Sequence, residues 1–145
     1  MSDGDCLFCK MNRQEINKVV VYEDNDILVI MDLYPATPGH MLVLTKQHIE
    51  TIYNMPEDLG ARIMTTAIDV AKSIKQKLSP NGLNLIQSNE VSAGQTVSHF
   101  HLHIVPRYGD DSVVLRFGHG NIPEDITELE GIASLVRSGL KLGAP

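Results

Sequence analysis

Three histidines alternate with apolar residues in the run His99-Phe100-His101-Leu102-His103, half of the chain's six histidines within five positions. If this run is a strand, its side chains point alternately to opposite faces. The three imidazoles then share one face at intervals of roughly 6.5–7 Å, and Phe100, Leu102 and Ile104 line the other. Three chemistries suit such a face: a solvated surface, a metal site, or catalysis at phosphorus. In the last, a neutral imidazole attacks and its neighbours hold the phosphate oxygens. The residues just upstream, Ala93-Gly94-Gln95-Thr96-Val97, favour catalysis. Gly94 lets the backbone approach a ligand and aim an N–H at a phosphate oxygen, and the Thr96 hydroxyl can donate to a bridging or leaving oxygen. A second chemical signal is Cys6-x-x-Cys9, the only cysteines of the chain. Two thiolates at this spacing suit zinc, but a redox pair or two small buried residues would read the same, although no thioredoxin-like βαβ pattern follows.

These residues need a scaffold. Val19 to Tyr22 and Ile27 to Met31 read as two strands joined by the polar turn Glu23-Asp24-Asn25-Asp26, and His40 to Leu44 as a third after a loop punctuated by Pro35, Pro38 and Gly39. From Glu57 to Leu78 the helical period takes over, with Leu59, Ile63, Ala67, Val70, Ile74 and Leu78 on one face, Pro56 in the first turn and Pro80-Asn81-Gly82 as the stop. Leu83 to Gln87 and His99 to Val105 are the fourth and fifth strands, the latter ended by Pro106. A second helix is expected from Thr127, with Thr127 and Glu130 as a capping box and Leu129, Ile132, Ala133 and Val136 as its buried side. Residues 107 to 125 read as a loop. Short strands joined mostly by turns, with one long helix between the third and fourth, predict an α+β domain with a largely antiparallel sheet.

The 145 residues suit one domain, and a net charge of −6 argues against non-specific nucleic-acid binding while leaving room for a mononucleotide held by a few local donors. No apolar stretch reaches the length of a bilayer span, so no membrane partner is expected. The start, Met1-Ser2-Asp3-Gly4-Asp5, has no signal-peptide pattern, and the expectation is a cytoplasmic protein.

The segment from Gly94 to Val105 resembles the signature of the histidine triad (HIT) superfamily, in which histidines alternate with apolar residues, and Pro106-Arg107 continues the likeness. Cys6 to Lys10, Tyr22-Glu23-Asp24, Met31 to Pro35 and Pro38 to Val43 resemble the same family, in the same order and at similar spacing. The resemblance implies a HIT-like fold of five antiparallel strands and two helices in a probable homodimer. The chain is then a single HIT domain, with a core of about 5–108 and a C-terminal loop and helix over 109–145.

It also implies roles. His101 matches the nucleophile that attacks the α-phosphorus of a nucleoside phosphoramidate or dinucleoside polyphosphate to form a nucleotidyl-histidine, and His103 the donor to the non-bridging oxygens. Thr96 is the third expected catalytic residue. Gly94, Gln95, Thr96 and Val97 match the phosphate loop, Leu7, Phe8, Ile16, Ile30 and Leu33 the base enclosure, and Asp32 the acceptor of both ribose hydroxyls. By themselves the apolar residues would read as core and Asp32 as a turn aspartate. Ser88 stands where the family often has an amide, and the neighbouring Asn89 is expected to supply it. Zinc-containing members imply that Cys6, Cys9, His48 and His99 hold a structural zinc. The implied activity is a nucleotide hydrolase or transferase acting on purine nucleotides, phosphoramidates or polyphosphates. The alternative is a nucleotide-binding regulatory protein with little turnover. His40 is expected to be structural or to support a site residue from behind, and His119 to be a surface histidine, with a place at the substrate's edge as the alternative.

Overall fold

Two strands in the first third of the sequence, Ile27–Met31 (β2) and Met41–Thr45 (β3), are apolar at nearly every position, which alternation alone does not explain. The computed structural model describes residues 4–116 and 125–142 and supplies the reason: both faces of the sheet are covered. Five strands pair antiparallel in the order β1-β2-β3-β5-β4, where β1 is Val20–Glu23, β4 is Gly82–Gln87 and β5 is His101–Arg107. The long helix Glu57–Leu78 (α2) lays Ile63, Ala67, Val70 and Ile74 on one face, against Ile27, Val29, Val43, Leu102 and Ile104. The opposite face carries Leu28, Ile30, Leu42 and Leu44, covered by Phe8, Met11 and both cysteines. These belong to a six-residue helix, Leu7–Asn12 (α1), and to Cys6 just before it. Burial on both faces is what makes continuous apolar runs favourable.

The predicted bounds of β2 and α2 coincide with those observed. On α2, Leu59 is half-buried, and Leu78 stays exposed where the helix ends in a left-handed Ser79. Pro56 is the cap residue just before the helix rather than its first turn. The family's expected pair of helices gains a third, α1, which was not foreseen because six residues are too short a window for a helical period and Cys6 supplies no side-chain cap.

Two expectations for β5 are corrected. The strand begins at His101, so His99 and Phe100 precede it, and the three imidazoles are not one pleated row. The strand also runs through Pro106 to Arg107. Proline is tolerated because β3 pairs only as far as Ile104, and the Pro106 carbonyl, on that vacated side, accepts the Thr37 hydroxyl at 2.6 Å. Its missing N–H faces the same side and breaks no ladder bond to β4.

The described residues fall into two compact units that divide between Val113 and Val114. The second contains the helix Ile126–Gly139 (α3). Its cap is Asp125, whose carboxylate accepts the Thr127 N–H at 2.7 Å, so the expected Thr127/Glu130 capping box is replaced by a cap two residues earlier. Leu129, Ile132 and Val136, expected to be buried, are exposed. Residues 108–116 form neither helix nor strand, in keeping with the expected loop; His119 lies outside the described residues. No helix among the described residues is long and apolar enough to cross a membrane.

Candidate active site and metal centre

The two signals of the sequence, the histidine run and the Cys-x-x-Cys pair, meet on the α1 face of the sheet. His99 turns out of the strand register because its Nε2–H donates to the Thr45 carbonyl at 2.7 Å. That bond leaves Nδ1 as the acceptor nitrogen, aimed at Cys6 Sγ (3.4 Å) and Cys9 Sγ (3.5 Å). His48 directs its own Nδ1 at Cys9 Sγ (3.3 Å), and the four ligand atoms lie within 4.8 Å of one another. Tetrahedral zinc with two sulfurs and two nitrogens has S···N edges of roughly 3.5 Å. The donor set, its spacing and the carbonyl that orients His99 therefore fit such an ion.

His101 follows two residues later with the opposite polarity. Its Nδ1–H donates to the His99 carbonyl at 2.7 Å, which leaves the Nε2 lone pair for chemistry. The ring is buried, and Phe8 lies tilted against it with centroids 5.2 Å apart. Burial pushes the His101 pKa down, opposed by the His99 carbonyl and by the charge of Asp32, so the ring is held neutral.

His103 is placed by His40. The Ala36 N–H donates to His40 Nδ1 at 3.0 Å, so a neutral His40 carries its proton on Nε2. That nitrogen lies 2.8 Å from His103 Nδ1 and donates to it, leaving the His103 proton on Nε2 as a donor. Burial and then the neighbouring His101 and His40 push the His103 pKa down to about 4. Asp32 accepts the Tyr34 N–H at 2.8 Å through Oδ1 and places Oδ2 3.5 Å from His40 Nε2. It is thus a turn aspartate that also faces the histidines. Asp32, His40 and His103 could on distance alone hold a cation. The proton on His40 Nε2 already occupies that space, so this second cluster reads as a hydrogen-bonded chain.

A cavity of about 190 Å³ opens on these groups. Of the residues expected at the site, Leu7, Phe8, Ile30, Asp32, Leu33, Thr96, Val97, His101 and His103 line it. Met11, Met31, Tyr34 and Leu42 line it too and were not foreseen, since single apolar residues carry no chemical signal. Four expected residues do not line it. Ile16 packs against the buried cluster around α1. Asn89 accepts the Ile52 N–H at 2.7 Å and pairs with Gln87. Gln95 is buried, donating to the Glu50 carbonyl and accepting the Glu90 N–H, both at 2.7 Å, so its side chain braces the loop. Gly94 adopts φ +86° with nothing within 4 Å of where a Cβ would stand, but its N–H donates to the Val91 carbonyl at 2.9 Å, so the amide expected to meet a phosphate oxygen is taken up in closing the turn. A larger hollow of about 680 Å³ between β1 and α2 has no histidine or cysteine in its lining and no part in this chemistry.

A sequence model of the HIT domain matches residues 13–110. The chain belongs to the HIT family. A HIT protein of Bacillus subtilis is 39% identical over 105 residues, covering 72% of each chain. An uncharacterized HIT-like protein of Methanocaldococcus jannaschii is 37% identical over 129 residues, 87% of this chain and 99% of its own. The crystal structure of a HIT family protein from Bacillus anthracis superposes with a TM-score of 0.89 at 35% identity, over 94% of this chain and 98% of that one. Among more distant HIT relatives are an adenylylsulfatase of Arabidopsis thaliana (34% identical, 72% of this chain, 53% of its own) and an adenosine 5'-monophosphoramidase of Saccharomyces cerevisiae (28%, 76% and 67%). A zinc-bound histidine triad protein of Mycobacterium smegmatis has a TM-score of 0.73 at 27% identity, over 96% of this chain and all of its own.

Proposed function

We propose that this HIT protein is a nucleotide hydrolase or transferase that cleaves a nucleoside phosphoramidate or dinucleoside polyphosphate at the α-phosphate. His101 Nε2 attacks phosphorus, the P–N or P–O bond to the leaving group breaks with its electron pair, and a nucleotidyl-His101 forms. Water then attacks the same phosphorus, the P–N bond to His101 breaks, and the nucleoside monophosphate leaves. His103 donates to the non-bridging oxygens as charge gathers there, Thr96 donates to the departing atom, and Asp32 accepts the ribose hydroxyls. Gly94 and Gln95 shape the loop that presents Thr96 and Val97 to the phosphate, and Leu7, Phe8, Ile30 and Leu33 enclose the base. Ile16 and Asn89 support the site from outside the cavity.

The observation that carries this reading is the hydrogen bond from His101 Nδ1 to the His99 carbonyl, because it leaves a neutral, buried imidazole with its free lone pair in a cavity beside a second histidine donor. The named activities of the plant and yeast relatives, both on AMP-linked substrates, agree with it. Zinc is the metal we assign to Cys6, Cys9, His48 and His99. All four tetrahedral positions are then filled by protein, so the ion's part is structural. The reading includes a homodimer working in the cytoplasm.

The test is release of nucleoside monophosphate from adenosine and guanosine phosphoramidates and dinucleoside polyphosphates, with His101→Ala beside the parent. Turnover by the parent and its loss in the variant are expected. Equal activity in both sinks the nucleophile assignment. Binding without turnover in either points to a regulatory nucleotide-binding protein instead.

A further inference from the structure

The wall of the candidate nucleotide cavity and the arm of the metal cluster are the same short segment, Cys6 and the helix α1 that follows it. Leu7, Phe8 and Met11 of α1 line the cavity, while Cys6 at its cap and Cys9 within it supply both sulfurs of the cluster. A helix this short has no stability of its own; isolated helices need roughly 12–15 residues to be even marginal. Nor is it capped by a side chain at its start. A polar tie from α1 to the chain just after β3 is long, Asn12 Nδ2 to the Lys46 carbonyl at 3.4 Å. The helix therefore stays because of what it buries, chiefly Cys6, Phe8, Cys9 and Met11. Two of those four are metal ligands. Without the cation, the two thiols and the two ring nitrogens keep only weak S–H···N hydrogen bonds at 3.3–3.5 Å in place of four coordinate bonds, so the binding free energy that would hold α1 to the sheet is lost. The sheet carries no such dependence. β2, β3 and β5 are joined by their own ladder and packed on the far face by α2.

We propose that the metal centre is a latch for the nucleoside side of the cavity. Metal bound by Cys6, Cys9, His48 and His99 holds α1 down. Its loss releases α1 and removes the Leu7–Phe8–Met11 wall, while the strand bearing His101 and His103 keeps its place. Cys6 and Cys9 are thus positioning residues for ligand affinity. This inference rests on the nucleotide reading above.

The experiment uses the full chain, zinc-loaded and zinc-stripped, with AMP as probe. Hydrogen exchange should show protection of residues 7–12 lost on stripping, with 27–31, 41–45 and 101–107 still protected, and calorimetry should show AMP binding weakened at least tenfold. One equivalent of zinc should restore both. A Cys6→Ser/Cys9→Ser double variant replaces chelation if the ion resists removal. Phe8→Ala supplies the control: it should retain zinc, bind AMP weakly, and lose less than a further threefold when stripped. The latch is overturned if 7–12 stay protected without metal, if protection collapses across the whole sheet, if AMP affinity changes less than threefold, or if Phe8→Ala suffers the full loss on stripping. Should zinc-loaded protein bind no AMP, the nucleotide reading falls, and the exchange arm still decides whether metal holds α1.

Discussion

Two histidine clusters lie side by side at the start of β5 and are wired in opposite ways. In the first, His99 and His48 turn Nδ1 toward two thiols. In the second, His101, His103 and His40 form donor–acceptor contacts with backbone and with each other. The residue type is the same, and the difference is made by one neighbour per ring. A carbonyl at Nε2 of His99 exposes Nδ1 to the sulfurs, a carbonyl at Nδ1 of His101 exposes Nε2 to the cavity, and an amide N–H at Nδ1 of His40 sends its proton toward His103. An imidazole becomes ligand, nucleophile or donor according to which nitrogen the backbone has taken.

Substitutions should separate the clusters. The largest effect is expected for His101→Ala: turnover falls at least about 1,000-fold while nucleotide binding persists, read by product release and calorimetry. Cys6→Ser acts on the other cluster. It should reduce metal content from about one zinc per chain to little or none and lower Tm on the order of 10 °C, checked by metal analysis and thermal melts. If metal content and Tm hold, the first cluster is not a metal centre. His40→Leu tests the coupling inside the second cluster, since it removes the donor that fixes His103. Turnover should drop roughly 10–100-fold with zinc content unchanged, in line with the usual effect of a residue that orients a working group. Asp32→Asn should weaken binding of a ribonucleotide about tenfold and of its 2'-deoxy counterpart less, by calorimetry.

The smallest effect is on stability against pH. His103 has a folded pKa of about 4, below the ordinary histidine value of 6.5. The unfolded chain therefore takes up the proton first as pH falls. Its contribution is intact above about pH 6.5, is lost progressively between 6.5 and 4, and is constant below. Allowing for partial exposure of the ring, the loss is on the order of 1 kcal/mol, visible as a shallower fall in denaturant midpoint in His103→Gln over that window.

Much of this was legible in the sequence. Strand β2 and helix α2 could be bounded from Ile27–Met31 and Glu57–Leu78 because an apolar run between turn residues and a 22-residue helical period are local signals. The five-stranded antiparallel sheet followed from resemblance and from strand count alike. Helix α1 was not legible, since its helicity comes from docking on the sheet rather than from its own residues. The face of α3 illustrates the limit of periodicity, which marks an amphipathic stripe at Leu129, Ile132 and Val136 but does not say whether anything covers it. That the side chains of Asn89 and Gln95 are taken up within the fold was not legible for a related reason. An amide in a loop beside a phosphate motif looks available, and only the folded chain shows that Ile52, Glu50 and Glu90 have engaged it.

Residue types and spacing alone determined the alternating histidine run, the thiol pair and the glycine-bearing loop on which the family resemblance rests. Those features survive as text because they depend on side-chain chemistry and on the short-range periods of strand and helix. The tertiary structure decided how the three histidines divide. His99 leaves the row because a carbonyl from β3, 54 positions away in sequence, takes its Nε2 proton, and His40 joins the site because β3 pairs with β5. Such long-range hydrogen bonds set the tautomer of each ring, and no local pattern encodes them.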